Sequence, residues 1–254
     1  MIPRAKDLVR AAFRTLGLEI SVASAGSPSA TNLADTDTWV QEIATKVAPF
    51  TMTSPERVAA LCMAMDYVSK RAIPGDFVEC GVWRGGSSMA AAWSLLRNDG
   101  SHRTLHLYDT FEGMPPPTDL DRRFDGIAAS QILAGSDPTS MYWARSSLED
   151  VRRNVALTGY PHDKINYIPG KVEETIPHKA PKQIAVLRLD TDWYESTKHE
   201  LEHLYPRLSE GGVLIIDDYG HWQGARRAVD EYFTTERPIL LNRIDDTGRI
   251  SIKA

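Results

Sequence analysis

The stretch IAVLRLDTDWYES, residues 184–196, decides the fold because it joins an apolar run to a cluster of carboxylates. The run IAVL is typical of a strand that is covered on both faces, as in parallel sheets. Asp190 and Asp192 follow it, one residue apart. Ligands bind at the carboxyl ends of parallel strands, so this stretch predicts an α/β protein with both aspartates at its functional edge.

The segments on either side of this stretch alternate between short apolar runs and amphipathic helical patterns. The apolar runs predict five strands: DFVECG (76–81), TLHLYD (104–109), INYI (165–168), IAVLRLD (184–190) and GVLIIDD (212–218). Helical patterns lie near residues 87–97, 147–157, 195–205 and 222–235. This alternation predicts a doubly wound, mostly parallel sheet with helices on both faces.

Two last apolar runs flank the turn sequence DDTG and predict an antiparallel hairpin: PILLNRI (238–244) and RISIK (249–253). Five parallel strands followed by such a hairpin form the seven-stranded, Rossmann-like layout of class I methyltransferases. The sequence therefore predicts that architecture for residues 53–254.

The residues ahead of the sheet are predicted to form a helical extension and mobile lid, residues 1–52, before the catalytic domain. Residues 3–18 carry apolar side chains at helical spacing, and residues 22–32 are small and polar, as in a flexible link. A further irregular stretch, residues 112–146, has the length of a functional lid.

A helix is predicted to open the catalytic domain, within TSPERVAALCMAMDYVSKRAIPG at residues 53–75. Thr53 and Glu56 have the spacing of a capping box, and Pro55 suits a first helical turn. Pro74 and Gly75 are expected to follow its end.

The amino-acid composition argues against several classes of protein. The chain has 254 residues, of which 42% are hydrophobic and 25% charged, as in one large globular domain with a modest appendage. Its net charge of −5 argues against a general nucleic-acid binder. Two cysteines, Cys62 and Cys80, suggest neither a disulfide framework nor a zinc cluster. Charged residues interrupt every candidate signal core and no run could span a membrane, so a cytoplasmic protein is predicted.

The first strand leads into a glycine-rich turn, ECGVWRGGSS, with Glu79 at the strand end and Gly81, Gly85 and Gly86 after it. Glycine permits a sharp turn and close approach of a ligand, and the following helix offers free N–H groups. The spacing is not that of the dinucleotide fingerprint. An acidic residue at this position suits the amino group of the methionine half of S-adenosyl-L-methionine. The alternative is a tight strand–helix turn that needs glycine only.

The second strand ends at Asp109, where an acidic side chain can accept hydrogen bonds from both ribose hydroxyls of a nucleoside. The alternative is that Asp109 only caps the next turn. Taken together with the glycine turn one strand earlier, the position favours a nucleoside-containing cofactor.

Four aspartates follow the fourth and fifth strands: Asp190, Asp192, Asp217 and Asp218. Adjacent parallel strands bring these carboxylates together, where they would repel each other and raise each other's pKa. A divalent cation relieves that repulsion, and all-oxygen ligands favour Mg²⁺, with Mn²⁺ or Ca²⁺ possible. The alternatives are a turn at the Asp-Asp pair and a helix cap at Asp192.

Such a site predicts proton removal from a hydroxyl group. A bound cation lowers the pKa of a coordinated hydroxyl and fixes it in line with a methyl donor. A neighbouring carboxylate, here Asp192, takes the proton. Because two adjacent hydroxyls can chelate one ion, a vicinal diol is the predicted acceptor.

Four motifs resemble the macrocin O-methyltransferase family: PGDFVECGVWRGGSS, YDTFEGMP, LRLDTDWYEST and GGVLIIDDYGHW. The resemblance covers roughly residues 55–250. It implies a metal-dependent, S-adenosylmethionine-dependent enzyme that methylates sugar hydroxyls, often on glycosylated natural products, and often as a dimer or higher homo-oligomer.

The resemblance also implies roles for individual residues. Asp190, Asp217 and Asp218 match the metal ligands, and Asp192 matches the general base. The cofactor loop and ribose acid match Glu79, Gly81, Ser87 and Asp109. The adenine is expected beside GKVEETIP, at Gly170, Val172 and Glu173.

Aromatic residues near these motifs have less defined roles. His221 is expected at the mouth of the site as a further catalytic candidate, with an exposed loop histidine as the alternative. Trp83 packs over the cofactor or anchors its loop. Trp193 and Tyr194 are expected in the core under the site.

Three rival functions remain open. A glycosyltransferase would use the D-x-D at Asp190 and Asp192 to hold a metal and a sugar nucleotide. The glycine turn, the second carboxylate pair and the single basic residue near the loop, Arg84, argue against it. A catechol or phenol O-methyltransferase would share fold, metal and cofactor. A non-catalytic protein with this fold is disfavoured because every proposed catalytic carboxylate is present.

Overall fold

The fold is seen in a computed structural model that describes residues 33–98, 102–137 and 140–254. The predicted helix at 3–18 and the predicted link at 22–32 lie outside the described residues. No helix in the described part of the chain is long and apolar enough to cross a membrane.

Seven strands form one sheet, as the sequence predicts. In chain order they are β1 (Asp76–Cys80), β2 (Leu105–Asp109), β3 (Ile165–Pro169), β4 (Ile184–Leu189), β5 (Leu208–Ile216), β6 (Asn242–Arg243) and β7 (Arg249–Ile252). Their spatial order is β3-β2-β1-β4-β5-β7-β6. The first five are parallel, and β7 runs antiparallel to both β5 and β6. The class I methyltransferase layout is thereby confirmed.

Five helices of the described residues lie where the amphipathic patterns predict them, whereas those at Thr38–Val47, Ala129–Ala134 and Val172–Thr175 were not predicted from a helical pattern. In chain order the helices of the described residues are α1 (Thr38–Val47), α2 (Pro55–Lys70), α3 (Gly86–Arg97), α4 (Ala129–Ala134), α5 (Leu148–Ala156), α6 (Val172–Thr175), α7 (Tyr194–Leu204) and α8 (Gln223–Thr235). One core lies between the sheet and α1, α2, α3 and α5. A second lies on the other face, against α7 and α8. Helices therefore cover both faces of the sheet.

Helix α1 belongs to the first core. Val40, Ile43 and Val47 on its inner face are each at most 6% exposed. Full burial of one such side chain contributes about 1.5–3 kcal/mol. This part of the predicted N-terminal extension is thus packed against α2 and α3, while the boundary at residue 52 stays a prediction.

The predicted capping box at the start of α2 is wrong. The cap is Ser54, whose Oγ accepts a hydrogen bond from the backbone N of Arg57 at 3.2 Å. Pro55 takes the first helical position because its fixed φ suits that place. Thr53 therefore lies outside the helix, and its hydroxyl accepts a hydrogen bond from Arg188 at 2.8 Å.

The described part of residues 112–146 is fastened to the carboxyl edge of the sheet. Asp121 is fully buried, and its Oδ1 accepts a hydrogen bond from the N of Tyr194, at the start of α7, at 2.8 Å. Arg123 forms an isolated antiparallel bridge with Trp222. This stretch therefore forms a wall beside the carboxyl edge of the sheet, where the residues that follow β1, β2, β4 and β5 lie.

Candidate active site

A cavity of about 340 Å³ lies at the carboxyl ends of β1, β2, β4 and β5. Twelve of the thirteen site residues predicted from the sequence line it: Gly81, Trp83, Ser87, Asp109, Gly170, Val172, Glu173, Asp190, Asp192, Asp217, Asp218 and His221. Met114, Met141 and Tyr142 from the irregular stretch complete the wall. The parallel topology thus brings nearly the whole predicted set to one place.

Gly81 begins the turn between β1 and α3 with a left-handed backbone, at φ +85°. A Cβ at this position would overlap the carbonyl oxygen of Asp190 on the neighbouring strand. Only glycine therefore lets the turn pass this close to β4, and the turn and the aspartate share one side of the cavity.

Asp109 holds the glycine turn from the end of β2. Its Oδ2 accepts hydrogen bonds from the backbone N of Val82 at 2.7 Å and of Trp83 at 3.0 Å. Its Oδ1 accepts one from Phe111 at 2.7 Å. A carboxylate has about four acceptor positions, so Asp109 caps the turn and still has capacity for a ligand hydroxyl.

Glu79 lies behind the cavity wall, with only 1% of its surface exposed. It pairs with Arg188 across β1 and β4, and its Oε1 accepts a hydrogen bond from Arg188 Nη1 at 2.8 Å. Ser88 at the start of α3 donates to its other oxygen. The predicted contact with the cofactor stays a prediction, and in this structure the buried guanidinium in the adjacent register position holds the carboxylate.

Arg188 connects the two halves of the site, although its side chain is only 2% exposed. Besides Glu79, its guanidinium bonds Asp190 Oδ2 at 2.8 Å and Asp217 Oδ1 at 2.6 Å. Burial would lower the pKa of this guanidinium, but the three carboxylates raise it well above its usual value. Arg188 therefore stays charged and offsets part of the negative charge at the strand ends.

The aspartates at the ends of β4 and β5 converge as predicted. Asp190, Asp217 and Asp218 each offer a carboxylate oxygen within 4.8 Å of the others. Arg57, on the first turn of α2, bonds Asp217 Oδ2 and also Asp245 Oδ2, the latter at 2.9 Å. Carboxylates still outnumber guanidiniums here, and burial together with the neighbouring carboxylates raises the pKa of Asp218 well above its usual value.

Asp192 lies beside this triad with a left-handed backbone, at φ +66°. Its backbone N donates to Asp218 Oδ2 at 3.1 Å, and its Oδ1 accepts from the indole Nε1 of Trp222 at 2.6 Å. Burial, reinforced by the charge of Asp190, raises its pKa to about 7. The helix-cap alternative does not hold, because α7 begins at Tyr194 and its N-terminal N–H is taken by Asp121.

His221 lies on the cavity wall, half-buried, between Trp222 and Phe124. Its ring centroid is 4.9 Å from that of Trp222 and 6.0 Å from that of Phe124. Burial lowers its pKa, and the charges of Arg123 and Arg57 lower the pKa further. Trp193 packs edge-on against Trp222 at 4.9 Å under the site, as predicted.

Comparison with known proteins identifies the family. The sequence profile of the macrocin-O-methyltransferase family matches residues 6–250. The chain belongs to this family. It is therefore an S-adenosylmethionine-dependent O-methyltransferase, and the glycosyltransferase alternative is wrong.

Individual relatives of this O-methyltransferase support the assignment. The 8-demethyl-8-(2,3-dimethoxy-alpha-L-rhamnosyl)-tetracenomycin-C 4'-O-methyltransferase of Streptomyces olivaceus is 37% identical over 205 residues, covering 78% of this chain and 73% of that protein. Mycinamicin III 3''-O-methyltransferase of Micromonospora griseorubida is 36% identical over 182 residues, covering 72% and 69%. The structure of the O-methyltransferase NovP superimposes with a TM-score of 0.70 at 32% identity, covering 81% of this chain and 82% of that one.

Sequence reasoning missed three contributors to the site of this O-methyltransferase. Arg188 carried a readable signal, because a charge inside a strand covered on both faces needs buried partners. The contact of Trp222 with Asp192 and that of Arg57 with Asp217 join segments 30 and 160 residues apart, and spacing along the chain does not reveal them.

Proposed function

We propose that this enzyme methylates a sugar hydroxyl of a glycosylated small molecule and uses Mg²⁺ bound by Asp190, Asp217 and Asp218. The observation that carries the proposal is the convergence of these three carboxylates beside Asp192 at the edge of the cofactor cavity. The relative from Streptomyces olivaceus is named for a rhamnosyl-bearing compound, which supports a sugar acceptor for this chain.

The donor set suits Mg²⁺. All three residues offer carboxylate oxygens, the ligands that hard divalent cations prefer. Their mutual distances of up to 4.8 Å are close to the ~4.2 Å that separates opposite oxygens of an octahedral Mg²⁺ site. When bound, Mg²⁺ lowers the pKa of a coordinated hydroxyl, and two adjacent hydroxyls can share the ion, which favours a vicinal diol.

Asp192 is proposed as the general base. It takes the proton of the acceptor hydroxyl while that oxygen bonds to the methyl carbon and the bond between this carbon and the sulfonium sulfur breaks. Trp222 holds Oδ1 of Asp192, and Oδ2 is proposed as the oxygen that takes the proton. His221 is proposed to line the acceptor side of the same wall.

The cofactor is proposed to lie along the turn after β1. Gly81, Trp83 and Ser87 would hold its methionine half, and Asp109 would accept hydrogen bonds from its ribose. Gly170, Val172 and Glu173, which line the far end of the cavity after β3, would border the adenine. Glu79 is proposed to support Ser88 and Arg188 from behind rather than to touch the cofactor.

Calorimetric titration tests the cofactor assignment. S-adenosylhomocysteine is expected to bind with or without Mg²⁺, whereas UDP-glucose is expected not to bind. Metal-dependent binding of UDP-glucose alone would overturn the proposal, because Asp190 and Asp192 would then serve a diphosphate.

Turnover after metal removal tests the chemistry. The enzyme is stripped with EDTA and incubated with S-adenosylmethionine and either an aryl α-L-rhamnoside or catechol. We expect methylation of the rhamnoside, detected by mass spectrometry, only after Mg²⁺ is restored. Methylation of catechol but not of the glycoside would favour the phenol alternative, and full turnover in EDTA would exclude the metal.

The N-terminal extension and the assembly of the chain are the subjects of two further proposals. Within the N-terminal extension, residues 1–52, α1 is packed in the core, so the proposed lid role is limited to the part that borders the cavity, where Phe50, Thr51 and Met52 line it. The chain is proposed to form a homo-oligomer, and light scattering of the full chain measures its mass directly.

A further inference from the structure

Both carboxylate oxygens of Asp217 bond guanidinium groups. Oδ1 accepts from Arg188 Nη2 at 2.6 Å, and Oδ2 accepts from Arg57 Nη1. Asp217 is also one of the three proposed Mg²⁺ ligands. A cation that binds Asp217 must therefore share or replace one of these two bonds.

Arg188 is the less replaceable of the two guanidiniums. Its side chain is 2% exposed, and it also bonds Glu79, Asp190 and Thr53. Releasing it would leave several buried polar groups without partners, which is costly. Arg188 is therefore expected to keep its bond to Oδ1.

Arg57 has a second carboxylate partner besides Asp217. Its side chain is 14% exposed and borders the cavity, and its Nε already bonds Asp245 Oδ2 at 2.9 Å. Asp245 is itself fixed in the turn between β6 and β7, where Oδ1 accepts from the backbone N of Thr247 at 2.9 Å and of Gly248 at 2.6 Å. The second carboxylate thus lies outside the ligand triad and stays in place.

The turn between β6 and β7 also packs directly against the side chain of Arg57. A Cβ at Gly248 would lie 2.7 Å from Cδ of Arg57, so glycine lets the turn pack directly against the arginine stem. Ser54 adds a hydrogen bond to Asp245 Oδ2 at 2.6 Å from the same helix start. The turn and the first residues of α2 therefore form one support for the guanidinium.

We propose that Arg57 competes with the divalent cation for Oδ2 of Asp217, and that Asp245 retains the guanidinium when the cation takes this oxygen. The inference rests on the proposed metal-dependent function and adds that the cation affinity is set from outside the ligand triad. Arg57 and Asp245 are positioning residues in this scheme, since neither touches the reacting atoms.

Single variants alone do not test the scheme. Removing the positive charge of Arg57 strengthens cation binding, and removing the negative charge of Asp245 weakens it, by simple Coulomb attraction. If the two charges act independently on the cation, the effects of the two substitutions on cation affinity add. If Arg57 competes with the cation, Asp245 affects the affinity only when Arg57 is present. A double variant separates the two explanations.

The experiment is calorimetric titration of Mg²⁺ and Mn²⁺ into wild-type protein, Arg57→Gln, Asp245→Asn and the double variant. Arg57→Gln should bind the cation about tenfold more tightly, the effect of losing one charge-assisted bond. Asp245→Asn, which keeps Oδ1 for the turn, should bind about threefold more weakly. The double variant should match Arg57→Gln.

A matched control is Arg97→Gln, which removes an equal charge at the far end of α3 and should leave the affinity unchanged. Additive effects in the double variant, or weaker binding by Arg57→Gln, would overturn the competition but leave the metal site standing. No cation binding in any protein would overturn the proposed metal chemistry itself. If Arg57→Gln does not fold, Arg57→Lys replaces it, and Asp245→Asn should then change affinity less than it does in the wild type.

Discussion

The indole Nε1 of Trp222 donates a hydrogen bond to Oδ1 of Asp192 at 2.6 Å. Trp222 stands just before α8, and Asp192 stands just after β4, so this bond joins the two loops that carry the acidic cluster. It fixes one oxygen of the proposed base. An uncharged residue thereby helps to set the orientation of the whole carboxylate.

Trp222→Phe should reduce turnover about 10–100-fold, the usual cost of losing a group that orients a reactive side chain. Phenylalanine keeps most of the ring packing but has no N–H donor. The measurement is kcat with saturating cofactor. The matched control is Trp193→Phe, which removes an indole donor bonded to Pro115 O at 3.0 Å and should retain most activity. Equal losses in the two variants would indicate packing alone.

Asp192→Asn should lower turnover at least about 100-fold while leaving S-adenosylhomocysteine binding nearly unchanged. Asparagine has the same size and tolerates the left-handed backbone at this position, so the loop should keep its shape. Activity and calorimetric binding are measured on the same preparation. Glu195→Gln, an exposed carboxylate three residues later, is the control. Full activity of the asparagine variant would remove Asp192 from the role of base.

Arg188→Met should destabilise the fold by about 3–5 kcal/mol, because it leaves buried carboxylates without their counter-charge. Methionine is of similar length, so the lost packing is small. Urea unfolding measures the change. Arg97→Gln, which removes a guanidinium that is 43% exposed, should change the free energy of unfolding by no more than about 0.5 kcal/mol. A similar small effect at Arg188 would mean that the carboxylates are neutral in the folded protein.

Asp245 should make part of the stability depend on pH. Burial alone would raise its pKa, but hydrogen bonds from Ser54 and Gly248 and the charge of Arg57 lower it to about 2. Because the folded pKa lies below the unfolded value of about 3.9, this stability is present above about pH 4 and is lost as pH falls towards 2.

Asp245→Asn should therefore be less stable than the wild type by about 2 kcal/mol at neutral pH. Its deficit should shrink as pH falls below about 4, since the wild type then loses the same contribution. Urea unfolding of both proteins in EDTA over this pH range provides the comparison. A deficit that does not change with pH would show that the carboxylate charge of Asp245 does not contribute.

The strands could be predicted because each is an apolar run bounded by turn residues, and a parallel sheet needs both faces covered. The same logic placed Asp109, Asp190, Asp217 and Asp218 at one edge, since strand ends in such a sheet share an edge. The position of Glu79 behind the cavity wall could not be predicted for a related reason. Its register partner on β4 is the buried Arg188, and the register between two strands cannot be predicted from the residue spacing within one of them.

The contact that holds residues 112–146 against the start of α7 could not be predicted from the sequence. Asp121 reads as an ordinary loop aspartate in DLDRRFDG, yet it is fully buried and bonds the first N–H of α7. Its burial depends on Gly224 in α8, where a Cβ would collide with Asp121 Oδ1. Three segments far apart in sequence create this contact, so only the assembled fold reveals it.

That contact has a consequence for redesign. Residues 118–124 are joined to Tyr194 through Asp121 and to Trp222 through the bridge at Arg123, and Trp222 in turn bonds Asp192. A chimera that imports this loop from a relative to change acceptor choice would also reposition the base. Transplants that carry Asp121, Arg123 and Gly224 together should keep their catalytic geometry, and those that split this set should lose it.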